Sequence, residues 1–96
     1  MFDELIKEKG LSLERLVAFL QVAQAGGFAA AAPKNPVRQS QYSTQVKELS
    51  KYFGVQLVKR TGRGATVTSE GQMLARLVKV HLIALRDIKL SWQNRP

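Results

Sequence analysis

Residues 38–71 read RQSQYSTQVKELSKYFGVQLVKRTGRGATVTSEG, and the fold is decided within this stretch. Tyr42, Val46, Leu49 and Phe53 recur at steps of four, three and four, which sets one apolar stripe along a helix that ends at Gly54. The other side carries Ser40, Ser43, Thr44, Lys47 and Lys51, a narrow polar face. Directly after the helix, Val55 to Arg60 and Ala65 to Thr68 are rich in β-branched and apolar residues, so two short strands are predicted. Thr61-Gly62-Arg63-Gly64 between them has the two glycines that suit a tight hairpin turn. A second helix then starts near Thr68 or Ser69.

A slim polar helix face is what a DNA major groove admits, although a merely solvated face is the ordinary alternative. Lys59, Arg60 and Arg63 would, standing alone, read as a soluble charged turn. A helix followed at once by a basic hairpin, however, has the order of a winged helix-turn-helix. Charge distribution favours the same reading. Residues 1–33 hold three basic and four acidic side chains (net −1), residues 34–63 seven and one (net +6), and residues 64–96 five and two (net +3), which together give the formal +8. The excess falls on the helix and hairpin. A solvated basic face and an acidic lipid surface are the alternatives, but a positive patch concentrated on such a scaffold points to phosphate.

The order of residues resembles the DNA-binding domain of the LysR-type transcriptional regulators over roughly residues 13–91. The resemblance is carried by Phe19, Gly26-Gly27-Phe28, Ala31-Ala32, Gln39, Ser43, Gln45, Leu49, Gly54-Val55-Gln56-Leu57, Arg60-Thr61-Gly62-Arg63, Thr68 and Gly71. It implies a mainly α fold with a small β-hairpin wing, a second motif helix that reads the major groove, and a long C-terminal linker helix used for dimerisation. The chain departs from the family in three places. Arg38 stands where the family usually has a serine N-cap, a loss worth about 1 kcal/mol. Pro33 and Pro36 fall where the family continues its first motif helix, so that helix is predicted to be one short turn over residues 28–32, or bent. Asn35 stands where the family prefers an apolar core residue.

The remaining sequence divides into an N-terminal arm or short helix (residues 1–11), the winged unit (12–68) and the linker helix (69–96). Ser12 is placed to cap a scaffold helix whose core face is predicted as Leu13, Leu16, Val17 and Leu20, widened by Phe19 and Val22. Gly26-Gly27 ends it, and the Phe28 ring is expected to anchor the motif helices. Ser69 with Gln72 has capping-box spacing, whereas the family resemblance prefers Thr68 as the cap of the last helix. That helix carries two apolar rows: Leu74, Val78, Leu82 and Leu85, and Leu77, Val80, Ala84 and Ile88. One row would serve a small monomer, so the second predicts a homodimer, with Leu74, Leu77, Val78, His81, Leu82, Leu85 and Ile88 at its interface. Burial of the whole width against the chain's own domain is the alternative.

No catalytic constellation is present: carboxylates are scattered, there is no cysteine, and Gly62-Arg63-Gly64 lacks the Lys-Ser/Thr of a phosphate loop. His81, the only histidine, has no ligand partner at metal spacing and is expected to be packed or half-buried. Neither cofactor nor metal is predicted. The first ten residues, MFDELIKEKG, lack the apolar run of a secretory signal or membrane span, so the expected location is cytoplasmic, on the nucleoid.

These readings converge on a sequence-specific regulator, or the DNA-binding domain of one, that meets double-stranded DNA as a dimer on an inverted repeat. Gln39, Ser40, Ser43 and Thr44 are assigned to base edges or nearby phosphates; Arg38, Lys47, Lys59, Arg60 and Arg63 are assigned chiefly to phosphate. Two rivals remain: a non-enzymatic interaction module that pairs with a regulator, and a nonspecific DNA-coating protein.

Overall fold

The computed structural model describes residues 1–62 and 64–95. In chain order the elements are α1 (Asp3–Ile6), α2 (Leu13–Ala25), α3 (Phe28–Ala31), α4 (Pro36–Phe53), β1 (Val58–Thr61), β2 (Gly64–Val67) and α5 (Ser69–Gln93). The strands are antiparallel, with Val58 opposite Val67 and Thr61 opposite Gly64. β1 is shorter than the sequence predicts, because Val55, Gln56 and Leu57 connect it to α4 instead of joining the ladder; β2 keeps its predicted length but lies one residue earlier, with Thr68 left to α5.

Caps set the boundaries. Ser12 accepts the Arg15 N–H at 3.1 Å and starts α2; Gly26, at φ 93°, ends it in the left-handed region that glycine adopts without penalty. The two prolines break the motif as expected, and α3 is a single turn. The expected loss of the α4 cap is corrected: α4 starts at Pro36, two residues before Arg38, with Asn35 Oδ1 accepting the Arg38 N–H at 3.0 Å. Pro36 has no N–H to satisfy and its fixed φ suits a first helical position, so, after Pro33 has closed off α3, the second proline starts the next helix. Asn35 is exposed and replaces no core side chain. Thr68, rather than Ser69, caps α5 by accepting the Gly71 N–H at 3.0 Å.

The core lies where α2, α3, α4 and the segment before β1 meet. Phe19, Val22, Leu49 and Leu57 are its fully buried side chains, joined by Ala18, Ala32, Tyr42 and Val46. Burying each large apolar side chain contributes about 1.5–3 kcal/mol. The α4 stripe is inward except for Phe53 at its end, which is 40% exposed. On α2 the buried side is rotated from the predicted one: Leu13 (60% exposed) and Val17 (38%) lie outside, because α3 and α4 close over Ala18, Phe19 and Val22. Phe28 is half-buried against this core, as expected of an anchor for the motif helices.

The two rows of α5 separate in the structure. Val78 is buried and Leu74 packs against the core, with Leu82 half-buried; these three face the chain's own domain, which removes them from the outward stripe assigned to them. Leu77, Val80, Ala84 and Ile88 are exposed, as is Leu85 at the border. His81 is likewise exposed, its Nδ1 2.7 Å from the Leu77 carbonyl, which corrects the expectation of a packed side chain.

Candidate nucleic-acid interface

The position of α4 relative to the hairpin is fixed at both ends of β2. At its far end, Thr68 Oγ1 donates to the Gln56 carbonyl while accepting from α5. Ser50 Oγ of α4 accepts the Leu57 N–H at 3.3 Å, so α4, the strand approach and α5 are joined through hydrogen bonds. Gly71 lies where these elements cross, and a Cβ there would collide with the Leu57 carbonyl oxygen and approach Val67 Cγ1 to 2.8 Å. Near the tip, Gly27 fits its backbone against the Ala65 carbonyl.

Between α4 and the hairpin this arrangement leaves an open concavity of about 740 Å³. One wall is Pro36, Gln39, Ser40, Ser43 and Thr44 of α4; the other is Arg60, Gly62, Gly64 and Ala65; Gly26 to Ala30 form the floor. Ser40 and Thr44 are exposed and Ser43 is half-buried. Among the described residues, no carboxylate lines the space. The wall of hydroxyl and amide groups facing a guanidinium is therefore a surface for an acceptor-rich, anionic partner.

The structure thus gathers Gln39, Ser40, Ser43, Thr44 and Arg60, five of the nine predicted residues. The Gln39 side chain is partly committed: its Nε2 donates to the Ala32 carbonyl at 2.9 Å, which leaves Oε1 and one N–H for other partners. Arg38 is elsewhere. Its guanidinium lies 5.0 Å from the Tyr42 ring centroid and donates to the Tyr42 hydroxyl at 3.4 Å, while that hydroxyl donates to Gln21 Oε1 at 2.9 Å. With Leu13 and Val17 it lines a separate hollow on the α2 side of α4. Lys47 is exposed but does not line the concavity. Lys59 is exposed on the strand position adjacent to Arg60, and strand alternation sends it to the other face of the hairpin. Arg63 lies outside the described residues.

The sequence reading missed Pro36, Ala29 and Ala30. Nothing in their composition marks them as site residues; they enter through the early start of α4 and the brevity of α3, and the spacing Asn35-Pro36 was the available signal. No helix among the described residues is long and apolar enough to cross a membrane, and no three potential metal ligands come together.

Three helices with an antiparallel hairpin standing beside the second motif helix define a winged helix-turn-helix protein. Residues 13–72 match the model of the bacterial regulatory helix-turn-helix proteins of the lysR family. The chain belongs to that family. It is 42% identical over 64 residues to the uncharacterized HTH-type transcriptional regulator YfeR of Shigella flexneri, covering 67% of this chain and 21% of that protein. It is also 39% identical over 84 residues to the "Probable nitrogen assimilation transcriptional activator" of Synechococcus elongatus, covering 88% and 25% respectively. The chain therefore spans only about a fifth to a quarter of the length of these curated relatives. Against the crystal structure of the CbnR DNA-binding domain in complex with DNA, it aligns at 31% identity and a TM-score of 0.70, covering 86% of this chain and 97% of that one.

Proposed function

We propose that this chain is the DNA-binding domain of a LysR-type transcriptional regulator and acts by sequence-specific, non-enzymatic binding to duplex DNA on the bacterial nucleoid. In this reading α4 enters the major groove, where Ser40, Ser43 and Thr44 bond base edges or flanking phosphates and the free groups of Gln39 address adenine. Arg60 neutralises phosphate from the hairpin; Lys47 and Lys59 add charge from outside the concavity. The observation that carries the reading is the shared, carboxylate-free concavity between the small polar side chains of α4 and Arg60.

Residues 12–68 serve as the winged unit and residues 69–96 as the dimerisation segment, with α5 as its pairing helix. The exposed row Leu77, Val80, Ala84 and Ile88 supports a homodimer, since it extends an apolar surface well past the part of α5 that the domain covers. A twofold pair presents its α4 helices to an inverted repeat, spaced by about one helical turn or a multiple of it. Fluorescence anisotropy against random and selected duplexes at two salt concentrations tests the proposal. Binding that falls with salt and prefers the selected site supports it; a folded dimer without affinity at low salt indicates an interaction module instead.

A further inference from the structure

A second concavity, of about 500 Å³, opens beside the first, and Gly26 at the end of α2 lines both. Its polar groups are Gln24 of α2, Thr66 of β2, and Gln72, Arg76 and Lys79 of α5. All five residues are exposed, all five side chains can donate hydrogen bonds, and among the described residues no carboxylate lines the hollow. The ion pairs among the described residues, Met1 with Asp3 and Arg86 with Asp87, include neither Arg76 nor Lys79. Three residues apart on one helix, these two cations are neighbours that repel each other mildly, and an anion between them relieves that repulsion.

Placement excludes the pairing stripe as the occupant. At 3.6 residues per turn, Gln72 and Lys79 lie on the side of α5 away from Leu77, while Arg76 stands on the crest between the two sides. Two copies joined through Leu77, Val80 and Ala84 keep Gln72 and Lys79 clear of the seam, with Arg76, which also lines a hollow with Leu77 and Val80, at its border.

We infer that this second concavity holds phosphates of the duplex just outside the base pairs that α4 reads, an inference that rests on the DNA reading of the first concavity. Continuity through Gly26 brings the backbone from one hollow to the other. The contact adds affinity without sequence preference and lengthens the footprint of each protomer.

The test compares a duplex that ends at the selected site with one extended by about one helical turn at each end. Binding is measured over a salt series for the wild type, Lys79→Gln and Arg76→Gln/Lys79→Gln. On the extended duplex, the slope of log affinity against log salt is expected to fall by roughly one for each cation removed from each protomer. On the short duplex all three proteins are expected to coincide. Lys79 lies off the pairing stripe, so sedimentation of Lys79→Gln is expected to match wild type and isolates the charge effect. Equal slopes for wild type and Lys79→Gln on the extended duplex, with binding intact, overturn the flanking site alone. Wild-type protein that binds neither duplex overturns the DNA reading of the first concavity and this inference with it.

Discussion

Asn35 holds the first turn of α4 by accepting the Arg38 N–H at 3.0 Å. A helix that looks uncapped at Arg38 is therefore capped three residues earlier, and the positive helix end is extended to Pro36. Asn35→Ala is expected to lower unfolding stability by about 1 kcal/mol in urea titration, with Asn35→Asp retaining most of it. Arg38→Ser is expected to change stability by less than about 0.5 kcal/mol. A larger gain from Arg38→Ser than loss from Asn35→Ala contradicts this account of the helix start.

Gly71 permits α5 to cross the approach to β1 at backbone contact. Its absent side chain leaves space for the Leu57 carbonyl and the Val67 methyl group, neither of which is the free end of a long side chain. Gly71→Ala is expected to destabilise by about 1–3 kcal/mol even though alanine is the better helix former, because overpacking outweighs propensity. Thermal unfolding reads the sign directly; a raised midpoint means that the crossing is looser than described.

Gln39 is expected to have two separable effects. Gln39→Ala removes the donor to the Ala32 carbonyl, costing about 1 kcal/mol of stability. It also removes an adenine-reading group and is expected to relax preference at one base pair by about 1–3 kcal/mol. Urea titration measures the first effect and selection of bound sequences the second. An unchanged base preference assigns the residue to the α3–α4 contact alone.

Pairing is expected to depend on the outer row of α5. Leu77→Glu/Ile88→Glu alters residues that are 58% and 45% exposed in the single chain, so its fold is expected to survive while the mass in solution halves. Sedimentation equilibrium and circular dichroism check the two halves of this prediction. A dimer that persists places the interface elsewhere.

Much of this architecture is legible in the chain because its signals are local. The Tyr42-Val46-Leu49 spacing, the glycines ending α2 and α4, and the Ser12 cap each act over one or two turns, and each reads correctly; at the start of α5 the local spacing points to Ser69 with Gln72, and only the family resemblance favours Thr68, which is the cap. What local pattern does not resolve is which of two plausible apolar faces a neighbour covers. Leu13 and Val17 have the periodicity of a core face, yet Phe19 and Val22 meet α3 and α4. The rows of α5 are equally apolar in sequence, and only packing turns Val78 inward and leaves Leu77 outside. In the candidate site, spacing brings Ser40, Ser43 and Thr44 to one face and the hairpin adds Arg60. Arg38 departs from the prediction because its guanidinium stacks on Tyr42 one helical turn along α4, on the side that Tyr42 ties to Gln21 of α2, away from the helix's polar face.

On the proposed function, α4 reads base pairs from the concavity it shares with the hairpin. Selection of bound duplexes from a random pool, run in parallel for wild type, Ser43→Ala/Thr44→Ala and Arg60→Ala, tests it most directly. The account predicts an inverted repeat for wild type and lost preference at defined positions for Ser43→Ala/Thr44→Ala. For Arg60→Ala it predicts the same repeat bound more weakly at every site. Recovery of no repeat by the wild type, or an identical repeat at undiminished affinity for all three proteins, contradicts it.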